Sequence, residues 1–290
     1  MASSSKAQSA RDKAKSMRNK EQKNRKLLII SISIGIIVLV AALIISAIFL
    51  VNKNSGGPSN LTHGEKVITS VTPANVTEWG GISVGKDGKA GTKNENAEKV
   101  IDLYFDYGCS HCNELEDEFG DKIGELVKNG KATLILHPLT IMGTQYSYFG
   151  ANAELFIAEN APEIYYDFHV NAHKKLTSPM WEEMIKKQRE AKEKNEDFNG
   201  IQGPSLEDIV KVATDLGLSP DKAENMKTAL QQASLAQVNG ESQYVPGAYA
   251  KHLQEYVNQF VKDGNTGTPA VYVNGENVKS WSSDLEKKLS

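Results

Sequence analysis

An α/β fold, with one mixed sheet interrupted by a long helical insertion and preceded by an apolar segment, is what this 290-residue sequence predicts. Three observations carry that reading. A strand–helix–strand pattern runs from Val100 to His137, a helical pattern continues from about Ser147 to Val261, and a hairpin signal followed by a short helix closes the chain. Neither flanking piece is large enough to bury a core alone, so both must contribute to one sheet.

Taken in order, residues 1–26 form a basic tail with nine Lys and Arg against Asp12 and Glu21. The remaining residues then carry 24 basic and 34 acidic side chains. So acidic a body does not suit a nucleic-acid binder, which needs positive charge to neutralise phosphates. Leu27 to Val51 is an uncharged run rich in Ile, Leu and Val. At about 1.5 Å per residue it can cross a hydrocarbon core of about 30 Å with some tilt. It is longer than the apolar stretch of a cleaved signal peptide, and Phe49-Leu50-Val51-Asn52 lacks the small-residue cleavage pattern. The run is therefore expected to be an uncleaved transmembrane anchor in contact with the lipid bilayer. The basic residues before it and the single Lys53 after it place the tail in the cytoplasm and residues 52–290 outside. Residues 52–75 read as a linker, with Ser55, Gly56, Gly57, Pro58 and Ser59 in a row. Asn60-Leu61-Thr62 and Asn75-Val76-Thr77 match the N-glycosylation pattern, a common triplet by chance.

In the exported part, Trp79 to Gly85 reads as a short extended segment. Val100 to Phe105 is a β-branched and aromatic strand with Ile101, Leu103 and Phe105 on one face. Gly108 breaks it, and Cys109 opens a helix to about Lys128 whose apolar face is Leu115, Phe119, Ile123 and Leu126. Asn129-Gly130 ends that helix, Ala132 to His137 is a second strand, and Pro138 stops it. Helical spacing then recurs through Phe149–Ala161, Ile164–His173, Leu206–Leu216, Met226–Ala236 and Tyr249–Val261, giving a helical insertion over about 147–262. Lys186 to Asp197 is almost wholly polar and reads as a solvated helix face or loop. Pro269 to Val273 is a strand, Asn274-Gly275 a hairpin turn, and Ser282 to Leu289 a closing helix.

The chemistry points to the cysteines. Two are few for a disulfide-stapled domain, and a pair three positions apart closes almost no loop, so its value must be chemical. Cys109-Ser110-His111-Cys112 stands at the mouth of a helix, where residues three apart share a face and the two sulfurs can form a disulfide, Cys109–Cys112. The unpaired N–H groups and positive dipole end of the helix favour the Cys109 thiolate, which makes it the nucleophile. Cys112, one turn in, is placed to resolve the mixed disulfide. His111 can donate a hydrogen bond or a charge to the Cys109 sulfur, or simply sit exposed on the first turn. A zinc site would need two further ligands, and the only histidine pair at helical spacing, His169 and His173, reads as a helix-surface pair. An inert structural disulfide is the other bland reading.

These residues resemble the thioredoxin superfamily, and specifically its DsbA-like branch, over about residues 76–290. The carriers are the strand Val100–Phe105, the run Asp106-Tyr107-Gly108-Cys109-Ser110-His111-Cys112, the helical insertion, and Thr268-Pro269 opening the late strand. The resemblance implies a thioredoxin-like fold and a protein thiol–disulfide oxidoreductase. It also implies a cis Thr268–Pro269 bond that turns the Thr268 backbone towards the cysteines to hold an extended substrate peptide. It implies no cofactor and no metal. The partners it implies are exported cysteine-containing proteins and a membrane redox partner that recycles the site.

Two departures from the branch bear on mechanism. The dipeptide is Ser-His where strong oxidases of the branch carry Pro-His. Many thioredoxins have a buried acid six residues before the first cysteine, and here that position is Leu103. Asp102 and Asp106 lie on the opposite strand face, and Asp106 is the candidate for moving protons to Cys112. The expected net reaction is oxidation of exported proteins. A reductase or isomerase on the same site, and a redox-inactive binding module, are the rival readings.

Overall fold

The computed structural model describes residues 72–290 apart from Glu78, Asn239 and Gly240. The basic tail, the apolar run 27–51 and the linker up to residue 71 lie outside the described residues. Among those described, no helix is long and apolar enough to cross a membrane.

A five-stranded sheet organises the described chain. Its strands are β1 (Ile82–Val84), β2 (Lys99–Phe105), β3 (Ala132–Pro138), β6 (Ala270–Val273) and β7 (Glu276–Asn277), in the order β1-β3-β2-β6-β7. β2 and β3 are parallel, with Leu103 opposite Leu136, and the 19-residue helix α1 (Ser110–Lys128) joins them. The expected strand–helix–strand unit is thus present. β6 lies antiparallel to β2, with Leu103 opposite Val271, so the late strand completes the sheet begun by the early ones. Asn274 and Gly275 both take positive φ, 52° and 78°, and turn β6 back into β7 as a two-residue hairpin requires.

Both faces of β2 are covered, which explains why its residues are buried without alternation. On one face Phe105 meets the edge of His169, and α1 buries Leu115, Phe119, Ile123 and Val127. On the other face Tyr104 stacks on His137 at 3.9 Å and packs against Phe260. Asp102 shares that second face. It is 4 % exposed and bonds His137 Nε2 at 3.0 Å, so its polar group is satisfied inside the core.

Between β3 and β6 the chain runs through α2 (Gln145–Asn160), α3 (Tyr165–Ala172), a π-helical turn (His173–Thr177), α4 (Ser178–Glu193), α5 (Leu206–Asp215) and α6 (Pro220–Gln231). A two-stranded ribbon follows, β4 (Ala233–Val238) with β5 (Glu241–Pro246), and then α7 (Ala250–Lys262). A π-helical turn (Trp281–Leu285) and α8 (Glu286–Leu289) end the chain. The polar stretch from Lys186 becomes the end of α4, a helix with no buried residue.

The ribbon corrects the sequence reading, which carried a helix from Met226 to Ala236. Helical spacing fits Met226, Leu230, Ala233 and Ala236, but of these four only Met226 and Leu230 lie on α6, where they are buried with Ala223. From Ala233 the chain changes to a two-residue period. Ala236 and Val245 face inward while the cross-strand pair Leu235 and Tyr244 is 53 % and 74 % exposed. The insertion is therefore not wholly helical. The Asn75 triplet also changes meaning, because its side-chain amide donates to the Ala158 carbonyl at 2.7 Å and is already in use.

α2 crosses the core so closely that a Cβ at Gly150 would overlap the ring of Tyr107. Gly150→Ala tests that approach. Helix propensity would favour Ala by about 0.5–1 kcal/mol, but forcing a methyl into a filled core costs about 1–3 kcal/mol. The variant is expected to lose about 1 kcal/mol or more net, read as a lower urea midpoint with an unchanged m-value.

Candidate active site

Three segments converge on the cysteines: the loop after β2, the first turn of α1, and the bend before β6. Cys109 is the N-cap of α1, with φ −100° and ψ 118° and no side-chain cap bond of its own. A thiol thus stands where Ser or Asp usually accepts the orphan N–H groups of a helix. Its sulfur lies 3.2 Å from the Thr268 carbonyl, to which the thiol donates. The Thr268–Pro269 bond is cis. Both cysteines are free thiols in this structure, 5 % and 1 % exposed.

The two sulfurs differ electrostatically. For Cys109 the largest influence is a hydrogen bond from the Cys112 thiol, which favours the thiolate. Burial acts the other way, while the Thr268 side chain and the backbone N–H groups of Cys112 and His111 again favour the thiolate. The result is a thiol pulled down to about 6. The Thr268 hydroxyl is buried and bonds no other group in this thiol form, which leaves it free to donate once Cys109 is ionised. Cys112 behaves oppositely, because burial and then the neighbouring Cys109 push its thiol well up.

The loop carrying Cys109 is held by its own polar groups. Asp106 accepts the Gly108 N–H at 2.7 Å and, through its other oxygen, the Met142 N–H at 2.8 Å. Burial raises the Asp106 carboxyl to about 6 against the pull of those bonds and of Ser147. Gly108 has no room for a side chain, since a Cβ would come 2.5 Å from Ser147 Oγ. The Asp106 carboxylate thus anchors the loop beside Cys109, while its backbone N–H is the part that bonds Cys112.

Of the two positions open to His111, the ring takes the exposed one on the first turn, still within electrostatic reach of Cys109. The side chain is 68 % exposed, its Nδ1 pairs with Glu114 Oε2 at 2.9 Å, and that bond raises its pKa. What residue 111 gives Cys109 most directly is its backbone N–H. Beside it opens a groove of about 270 Å³ lined by His111, Leu115, Pro269, Val271, Val278 and Trp281, among others.

Sequence reasoning missed the buried polar cluster behind the site. His169 and His173 are not a helix-surface pair; they are 1 % and 2 % exposed, packed against Phe105 and Tyr107. His169 contacts Glu154 and Glu116. The available signal was Glu154 itself, the one charged side chain from Phe149 to Ala158, a stretch in which Asn152 is the only other polar one. Among the described residues, no group of three or more His, Cys, Asp or Glu is arranged to hold a metal ion.

A family model described as thioredoxin matches residues 91–289. Among solved structures, the chain is similar to the MdbA protein, a thiol-disulfide oxidoreductase from Actinomyces oris. The identity is 23 %, covering 78 % of this chain and 92 % of that one, with a TM-score of 0.53. It is also similar to BdbD from Bacillus subtilis, at 15 % identity over 76 % of this chain and 99 % of that one, TM-score 0.49. The MdbA protein of Corynebacterium diphtheriae matches at 18 % identity over 73 % and 94 %, TM-score 0.47. No curated protein matches the chain by sequence.

The asymmetry of the two thiols makes a pH prediction. In the reduced protein, iodoacetamide is expected to alkylate Cys109 with a half-maximum near pH 6, and Cys112 not to react at neutral pH. Because the folded pKa of Cys109 lies below its ordinary value, the stabilisation of the reduced fold is present at high pH and is lost as pH falls through about 6. The oxidised fold has no such titration. The difference in urea midpoint between the reduced and oxidised forms should therefore move in favour of the reduced form as pH rises from about 6 to about 9, the interval between the folded and ordinary values of Cys109.

Proposed function

The chain belongs to the thioredoxin family, and from that premise we propose that it is a thiol–disulfide oxidoreductase that oxidises cysteine pairs in exported proteins. The observation that carries this reading is the pairing of a thiol pulled down to about 6 at the start of α1 with a buried, strongly protonated one a turn later. A stabilised thiolate favours the reduced protein, which makes the oxidised protein a disulfide donor.

The chemistry follows from that arrangement. A substrate thiolate attacks Cys109 of the Cys109–Cys112 disulfide, and Cys112 leaves and takes up a proton. The second substrate thiolate then attacks the substrate sulfur of the mixed disulfide, and Cys109 leaves as the better-stabilised thiolate. Two electrons pass to the protein, and a membrane redox partner must remove them for another turnover. Asp106, titrating near 6 beside Cys109, is the group we assign to proton exchange with the pair. Thr268 and Pro269 hold the extended substrate strand, and the groove between His111 and Trp281 takes its apolar side chains. His111, paired with Glu114, sits at the rim of that groove and adds positive charge near the thiolate when protonated.

The reading places residues 52–290 outside the cytoplasm, with 27–51 as the anchor and 1–26 inside. Its support is the uncharged length of 27–51 and the basic excess before it. Oxidation is favoured over reduction by the low Cys109 titration.

The test is a redox equilibrium of the full chain in detergent against glutathione. A potential near about −120 mV to −180 mV is expected, and one near about −270 mV would make the protein a reductant. In cells, Cys112→Ala is expected to accumulate mixed disulfides with exported proteins and Cys109→Ser to form none. Equal growth and equal substrate oxidation with Cys109→Ser would instead favour a binding module.

A further inference from the structure

Behind the cysteines lies a chain of bonds that no part of the exchange chemistry uses. Tyr107, two residues before Cys109, donates its hydroxyl to Glu154 Oε1 at 2.6 Å. His169 Nδ1 bonds the same oxygen at 2.9 Å, and its Nε2 bonds Glu116 Oε1 at 3.3 Å. Glu116 stands on α1, one turn beyond Cys112. The segment 107–116, which carries both cysteines, is therefore tied at its two ends to one imidazole. Tyr107, Glu154 and His169 are each no more than 1 % exposed. Burial disfavours charge on His169, but the two carboxylates outweigh it and hold the ring up at about 10, so both nitrogens donate.

Stability gives no reason for such a cluster. A buried ion pair is often no better than apolar packing of the same volume, and Glu154 is flanked in its helix by the buried apolar residues Ala153 and Leu155. What the cluster does determine is position. The Tyr107 ring is fixed between the bare backbone of Gly150 and the stacked His173, 5.0 Å away, and its hydroxyl is fixed by Glu154. The loop that follows has only Gly108 between that ring and the sulfur that touches Thr268.

We propose that Glu154 is a positioning residue for Cys109: by joining Tyr107 to the His169–Glu116 pair, it sets where the nucleophile's loop lies over the first N–H groups of α1. This rests on the exchange function above. The insertion that supplies Glu154 and His169 is thus a second support of the active-site segment as well as a wall beside it.

Two substitutions separate position from charge. Glu154→Asp keeps the charge but withdraws the carboxylate by one methylene. Glu154→Gln keeps the reach and an acceptor oxygen but removes the charge. Titration of the reduced full chain, followed by thiolate absorbance, should show Cys109 shifted up by about half a unit or more in Glu154→Asp, about a threefold fall in the thiolate-to-thiol ratio at a given pH. Glu154→Gln should titrate close to wild type. Both lose Tm, so Tm does not decide. The opposite pattern, or a wild-type titration in both, overturns the proposal. Should Glu154→Asp not fold, Tyr107→Phe removes the same link and must show the same upward shift, or the proposal fails. A wild-type chain that does not exchange with glutathione overturns the function itself. A wild-type chain that exchanges while the variants titrate unchanged overturns only the positioning role.

Discussion

The sulfur of Cys109 occupies the place where the first N–H groups of α1 have no helical partner, and much of the structure serves to keep it there. A thiolate at that point gains from the backbone N–H groups of His111 and Cys112 and from the adjacent thiol, and those gains exceed the cost of its burial. Such bonds act over about 3 Å and weaken steeply with misalignment. The loop before the cysteine therefore has to be held as firmly as the helix after it. Asp106 spends both carboxylate oxygens on the backbone of that loop and its neighbour, and Gly108 lets Ser147 and Thr144 close in from α2.

Holding the loop in this way concentrates costly groups in one place. Asp106, His169 and Glu154 are all buried beside the equally buried Cys112, and these three depart from what a sequence selected for stability alone would bury. The departures are arranged so that charges differ sharply over short distances. One thiol is pulled down and its neighbour pushed up, and one histidine is held charged while the next is driven neutral, to about 4, by burial. Perturbed groups in such density are characteristic of sites that move protons and electrons.

The insertion has two roles in this scheme. Its far part is ordinary packing, with a Ser205–Asp208 capping box starting α5 and an exposed α4 carrying charge on solvent. Its near part, α2 with its N-cap Thr144 and α3, supplies Thr144, Ser147, Glu154 and His169 to the back of the candidate active site. A thioredoxin-like sheet and helix alone would carry the two cysteines but would leave the loop before them without these partners.

The sequence by itself determined the sheet's ingredients, because a buried strand and an amphipathic helix leave local periods that any window of residues reveals. It also determined the identity of the two sulfurs and the Asn274-Gly275 turn, which are fixed by near neighbours. Helical spacing misled at Ala233–Ala236, where the same residues satisfy a two-residue period and only packing against α7 decides. His169 and His173 looked like surface residues, since nothing local records that α3 lies beneath Phe105. Glu154 carried a signal, the one charge in a largely apolar stretch, but its partners Tyr107 and His169 are 47 and 15 residues away in the sequence. Only the tertiary structure decided that they meet, because the energy of a buried hydrogen bond depends on a distance in space that no sequence period encodes.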